Sequence, residues 1–140
     1  MDQTIQIKCF ESCVYDLTPK FFECAAVPKC AKIFKYLFMF CDYRGNDRAI
    51  EALEKLLPEL CEKAKTEWHD RSIEYQNGYQ STDRAALPSN LFYKKQIDEE
   101  IASRKRSNDK LMKAVKSAKS KYDHAVKVWN SYTAAKEKYK

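Results

Sequence analysis

Residues 97–132, "IDEEIASRKRSNDKLMKAVKSAKSKYDHAVKVWNSY", hold the pattern that decides the fold. Ile97, Ile101, Arg104, Asn108, Leu111, Val115, Ala118, Tyr122, Ala125, Trp129 and Tyr132 follow one another at alternating steps of four and three. A mean step of 3.5 is the seam of a coiled-coil-like helix, and it is apolar except at Arg104 and Asn108. No Gly or Pro occurs after Pro88, so nothing interrupts a helix over about 91–140. Continuous, it would span about 75 Å at 1.5 Å per residue. The seam predicts that Leu111, Val115, Tyr122, Trp129 and Tyr132 are buried against another helix.

A second helix is expected over 46–78, where Ile50, Leu53, Leu57, Leu60 and Ala64 repeat at helical spacing. Pro58 lies inside this stripe and should kink the helix without ending it, because the stripe continues on both sides. Asn77-Gly78 is a stop signal. The stretch STDRAALPSN that follows reads as a connector with room for one helical turn. About ten connecting residues let the two helices fold back antiparallel. Leu53, Leu57 and Leu60 are then expected to meet the seam from Ile97 to Val115.

Upstream, Thr18 followed by Pro19 marks a helix start, with Thr18 as the cap and Pro19 at the first helical position. That helix must be short, since Pro28 disfavours helical backbone at Val27. A further helix is expected from Pro28 or Lys29 to about Tyr43, closed by Gly45-Asn46. Ile33, Phe34, Leu37, Phe38, Phe40 and Cys41 leave little of it polar, which places it at the centre of the fold. TIQIKCF, residues 4–10, has a short strand-like alternation. The reading is all-α: a short helical hairpin, then a long antiparallel helical pair with a coiled-coil-like C-terminal helix. Two regions follow, a compact helical one over 1–88 and a long basic helix over 89–140 that packs on it and on a partner.

Composition bounds the function. With 44% hydrophobic and 33% charged residues in a chain of 140, the sequence belongs to folded, not disordered, proteins. The first ten residues carry an acid and no apolar core, so no secretory signal is expected. The most apolar run, IFKYLFMFC, is about nine residues with Lys35 inside it, against the roughly 20 needed to cross a bilayer. Charge is uneven. Residues 1–60 hold 8 basic and 9 acidic side chains, net −1, whereas 101–140 hold 12 and 3, net +9.

Chemistry finds little support. His69 and His124 stand alone on predicted helices, no Ser/His/Asp or Cys/His arrangement is local, and no Gly-rich phosphate loop exists. No catalytic residue is assigned, and neither a cofactor nor a small-molecule substrate is expected. Structural zinc sites want paired Cys-x(2–4)-Cys knuckles or Cys with His. Only Cys9 and Cys13 have that spacing, so no metal site is expected.

Four of the six cysteines form two equal steps, Cys13 to Cys24 and Cys30 to Cys41, each with ten residues between. Eleven residues turn a helix 20° past three full turns, so each pair would share a face if one helix carried both members. The pattern resembles the twin C-x9-C or C-x10-C hairpin of the coiled-coil-helix-coiled-coil-helix family. These are small proteins of the mitochondrial intermembrane space, imported without a presequence and oxidised there, and they include accessory subunits and assembly factors of respiratory complexes. The resemblance covers residues 13–41. It implies bridges Cys24–Cys30 and Cys13–Cys41, and an intermembrane-space address. The alternative reading makes the cysteines reduced core residues in a cytoplasmic protein.

Lys110, Lys113, Lys116, Lys119, Lys121 and Lys127 lie away from the seam of the last helix. The aromatics fall on the seam instead of among the lysines, which speaks against nucleic acid. The narrow apolar stripe suits a partner helix better than lipid. The expected function is that of a non-enzymatic helical interaction protein, an accessory or assembly subunit of a larger complex. Leu111, Val115, Tyr122, Trp129 and Tyr132, with Lys113, Lys116 and Lys119, are its partner-binding residues. The alternative is a cytosolic helical adaptor that binds an acidic protein or an anionic membrane surface.

Overall fold

A computed structural model describes residues 5–8, 14–39, 44–88 and 93–139. Two short strands come first. β1 (Ile5–Lys8) pairs antiparallel with β2 (Val14–Leu17), Ile5 opposite Leu17. Among the described residues four α-helices follow: α1 (Pro19–Cys24), α2 (Val27–Met39), α3 (Arg44–Gly78) and α4 (Lys94–Tyr139). A single 3-10 turn, Arg84–Ala86, lies in the connector. The fold is all-α. The small ribbon is a local addition to it, and β1 falls on the alternation noted at TIQIK.

Local chemistry places most boundaries. Thr18 caps α1, its hydroxyl accepting from the Phe21 N–H, and Pro19 takes the first helical position. Asp83 caps the 3-10 turn by accepting from the Ala85 N–H. α3 runs through Pro58 and ends at Gly78, as the stripe and the stop signal require. Two boundaries differ from expectation. Val27 is already helical, with Pro28 second in α2, where a missing N–H has no helical partner to lose. Gly45 does not separate two helices, because α3 starts at Arg44 and carries it in the first turn. The expected end of α2 near Tyr43 lies outside the described residues.

The chain divides into two compact units. Unit 1 comprises Met1–Lys65 with Ser120–Lys140, and unit 2 is Thr66–Lys119. The division cuts across both long helices instead of falling at the 88/89 connector.

Unit 1 holds the apolar core. Leu17, Phe22, Cys30, Ile33, Phe34, Leu37 and Phe38 are buried together with Ala49, Leu53, Leu56, Leu57, Val128, Tyr132 and Ala135. Aromatic rings form its middle. Phe34 stacks on Phe22 at 6.0 Å and meets Tyr132 edge-on at 5.3 Å. Phe38 and Trp129 each lie 5.4 Å from the Tyr132 ring. Ring pairs at these separations add about 0.5–1.5 kcal/mol each beyond area burial.

Unit 2 is built differently. Among its described residues, Ile97, Asn108 and Ala118 are buried. α3 and α4 run antiparallel in it: Lys119 stands over the Trp68 ring at 5.9 Å, and Gly78 faces Leu111. Beyond Gly78 the chain continues beside α4. Asn108 accepts from the Gln80 N–H at 2.9 Å and donates to the Gln80 carbonyl at 2.7 Å. Arg104 donates to the Ser81 carbonyl at 2.9 Å and pairs with Glu100.

These contacts explain the two polar breaks in the seam. Arg104 and Asn108 face connector backbone, which offers N–H and C=O groups that an apolar side chain could not satisfy. They also correct the register. Since Gly78 already meets Leu111, the first turns of α4 run past the end of α3. Leu53 and Leu57, expected to meet Ile97 to Val115, instead share the unit 1 core with Val128, Tyr132 and Ala135, and Leu60 packs against it.

Candidate interaction surfaces

α4 exposes a band of positive charge. Lys105, Arg106, Lys110, Lys113, Lys116, Lys119, Lys121 and Lys127 are all exposed, and Asp109 and Asp123 are the acids among them. Lys110, Lys113, Lys116 and Lys119 step by three. Three residues turn a helix by 300°, so each lysine sits 60° round from the last. The band wraps from the outer face towards α3, where Lys119 reaches Trp68. Like charges three or four apart destabilise a helix by a few tenths of a kcal/mol per pair. The band therefore costs stability that an anionic neighbour would recover.

The apolar members of the expected partner-binding set fare differently. Tyr132 is fully buried in the chain's own core, and Trp129 packs against that core. Leu111, Val115 and Tyr122 are half-buried in the structure, Leu111 beside Gly78. Lys113 and Lys116 are exposed, and neither pairs with a carboxylate among the described residues.

Tyr132 also carries a polar contact within unit 1. Its hydroxyl donates to Glu54 Oε1 at 3.3 Å, and the Lys136 ammonium pairs with the same oxygen. Burial raises the phenol pKa above its ordinary range, and the Glu54 charge and hydrogen bond raise it further. His124 is half-buried, with Nε2 3.0 Å from the Phe22 carbonyl. A carbonyl only accepts, so Nε2 carries the proton in this contact.

The cysteines do not form the inner bridge. Cys24 is exposed at the end of α1 and Cys30 is buried in the core, both as free thiols. Ala25 is extended, so α1 and α2 are joined by a link that turns the two sulfurs to different environments. Burial raises the Cys30 thiol pKa, partly offset by the Lys29 charge; burial and the Glu62 charge raise that of Cys61. Both sit as protonated, packing thiols near neutrality. Cys9, Cys13 and Cys41 lie outside the described residues, and the Cys13–Cys41 rung with them. Among the described residues no group of three or more His, Cys, Asp or Glu could hold a metal ion. No described helix is long and apolar enough to cross a membrane.

Comparison with protein-family models, curated proteins and solved structures finds no match.

The sequence reading missed one basic group. α2 carries Lys29, Lys32 and Lys35 and no acid. The three-residue spacing was visible in the sequence, but the density of apolar residues around it drew the helix as wholly central.

Proposed function

We propose that the chain is a non-enzymatic helical interaction protein, a small accessory or assembly subunit of a larger multi-protein complex. The observation that supports this reading is the exposed basic band on α4. Between Lys105 and Lys127 the helix carries eight basic and two acidic residues, net +6. The band sits on a helix whose apolar stripe is already engaged with its own chain at Tyr132 and Trp129. An acidic protein surface would relieve the mutual repulsion and gain from electrostatic steering, which is strongest at low salt.

The test is migration on native gels of the tagged chain in cells of its source. The wild type should run in a particle much larger than the monomer, and Lys113→Glu with Lys116→Glu should release it. Monomeric migration of the wild type, or a variant that stays assembled, overturns the proposal. The alternative reading, an adaptor on an anionic membrane surface, rests on the same band. It predicts flotation of the wild type, and not of the variant, with phosphatidylserine vesicles. The finer address, the mitochondrial intermembrane space, now depends on the Cys13–Cys41 rung. Alkylation of native-source protein that leaves two cysteines protected favours that compartment; six alkylatable thiols favour the cytoplasm.

A further inference from the structure

We infer that the groove between α2 and the last two turns of α4 is a docking site for an acidic amphipathic helix of a partner protein. The inference rests on reading the chain as an interaction protein, but it uses a different surface from the α4 band. The groove lies within unit 1 and has a volume of about 420 Å³, open along one side. α2 lines it with Pro28, Ala31, Lys32 and Lys35. α4 lines it with Ser131, Ala134, Ala135, Lys138 and Tyr139. Both sets contain the i, i+3, i+4, i+7 pattern of a single helix face, and Tyr139 continues it at i+8. Two parallel-sided helical walls about 10 Å long, or two turns, match the footprint of a third helix.

The floor and the rim specify what that helix carries. Ala31, Ser131 and Ala134 are small, which lets a helix axis approach to the short end of the usual 8–10 Å. The rim is positive. Lys32 lies over the Tyr36 ring and Lys138 over the Tyr139 ring, at 6.0 Å and 5.3 Å. Lys35 is exposed, and none of the three is paired with a carboxylate among the described residues. Lys136 shows the contrast, since it is neutralised by Glu54. Glu137 is one residue from Lys138, about 100° round the helix, and α2 has no acid at all. An apolar floor with three unneutralised lysines fits a helix with a leucine-type stripe flanked by Glu or Asp. A bilayer is flat and does not enter a groove two turns long.

The probe is a fluorescein-labelled peptide of about 18 residues, long enough to hold a helix. It carries leucines at three-four spacing and glutamates on both flanks, and its anisotropy is read against the full chain. Saturable binding is expected. Lys35→Glu with Lys138→Glu should weaken it about tenfold, and Ala134→Gln, which fills the floor at an exposed position, should weaken it too. Each variant is first shown to keep the wild-type melting temperature. Lys113→Glu with Lys116→Glu should change affinity less than about twofold. Absence of saturable binding, or an equal loss in the α4 variant, overturns the inference. So does a dimer of the chain that the groove variants dissolve, which would make a second copy the occupant. Binding to phosphatidylserine vesicles that is lost in the Lys35/Lys138 variant also overturns it. Failure here with the α4 band still holding the native particle leaves the interaction reading standing. Peptide binding without any such particle has the reverse meaning, so the two outcomes are separable.

Discussion

In unit 1, Leu53 and Leu57 of α3 share a buried cluster with Val128 and Tyr132 of α4. In unit 2 the same two helices meet where a glycine faces Leu111 and a lysine stands over Trp68, and Asn108 and Arg104 of α4 hydrogen-bond to connector backbone. One unit is held by apolar area removed from water, the other by a few directed polar contacts around small residues. Burial contributes about 25 cal/mol per Å², whereas a hydrogen bond contributes a net of only about 0.5–1.5 kcal/mol. Length of helix therefore says little about local stability. Amides of unit 2 should exchange with solvent faster than those of the core turns in unit 1.

The largest effect should come from core truncation. Leu57→Ala, at a position 2% exposed, should cost about 2–5 kcal/mol in urea unfolding. Leu111→Ala, half-buried in unit 2, should cost clearly less. Equal costs would erase the distinction between the units.

Asn108→Ala comes next. It removes both bonds to Gln80 and should cost about 1–3 kcal/mol. Asn108→Leu, which restores an apolar seam, should not recover the loss, because the Gln80 backbone groups stay unsatisfied. Full recovery by leucine would show that unit 2 is held by apolar packing after all.

Tyr132→Phe should cost about 0.5–1.5 kcal/mol near neutral pH, the value of its bond to Glu54. The pH dependence is more telling. The folded phenol has a pKa above the unfolded value of about 10. Its contribution is thus complete below that value and lost as pH rises, because the unfolded chain gives up the proton first. The slope is about −1.4 kcal/mol per pH unit above pH 10. Urea midpoints from pH 8 to 11 should fall less steeply in Tyr132→Phe than in the wild type. Parallel curves would mean that Tyr132 ionises as readily folded as unfolded.

Gly78→Ala should have the smallest effect. A Cβ there would lie 2.8 Å from Leu111 Cδ1, the movable end of a flexible side chain. The shift of Leu111 offsets the roughly 0.4–1 kcal/mol gained by stiffening the unfolded chain. A melting temperature within about 3 °C of wild type is expected. A large drop would reveal tight packing where unit 2 is described as loose.

The backbone signals were the legible part. Thr18-Pro19, the stripe through Pro58, Asn77-Gly78 and the three-four seam each announce themselves, because capping, helix termination and periodicity are local properties of the chain. Every seam position from Ile97 to Tyr132 is at least half-buried. What Arg104 and Asn108 bind was not legible, since their partners are main-chain groups of Gln80 and Ser81, which any residue type supplies. The α3–α4 register failed for the same reason: nothing in STDRAALPSN says that the segment after Gly78 lies along α4. Equal cysteine spacing suggested a ladder, yet the extended backbone at Ala25 sends Cys24 to solvent and Cys30 into the core. Of the candidate surfaces, the α4 lysines could be read from charge alone. The groove at Ala134 and Lys35 could not, because it exists only once two segments about a hundred residues apart are brought together.

Unit 1 is assembled from two stretches of chain, with Thr66–Lys119 between them. That has a consequence for the order of events on the ribosome. Phe34 and Tyr132, which meet edge-on, are 98 residues apart in synthesis (132 − 34). At about 5–20 residues per second, the apolar face of α2 waits roughly 5–20 s for the ring that closes it. Unit 2 is contiguous and can form as soon as it emerges. A nascent chain halted between Lys65 and Ser120 thus presents Phe34, Leu37 and Phe38 before Val128 and Tyr132 exist to cover them, the interval in which a chaperone would have most to hold.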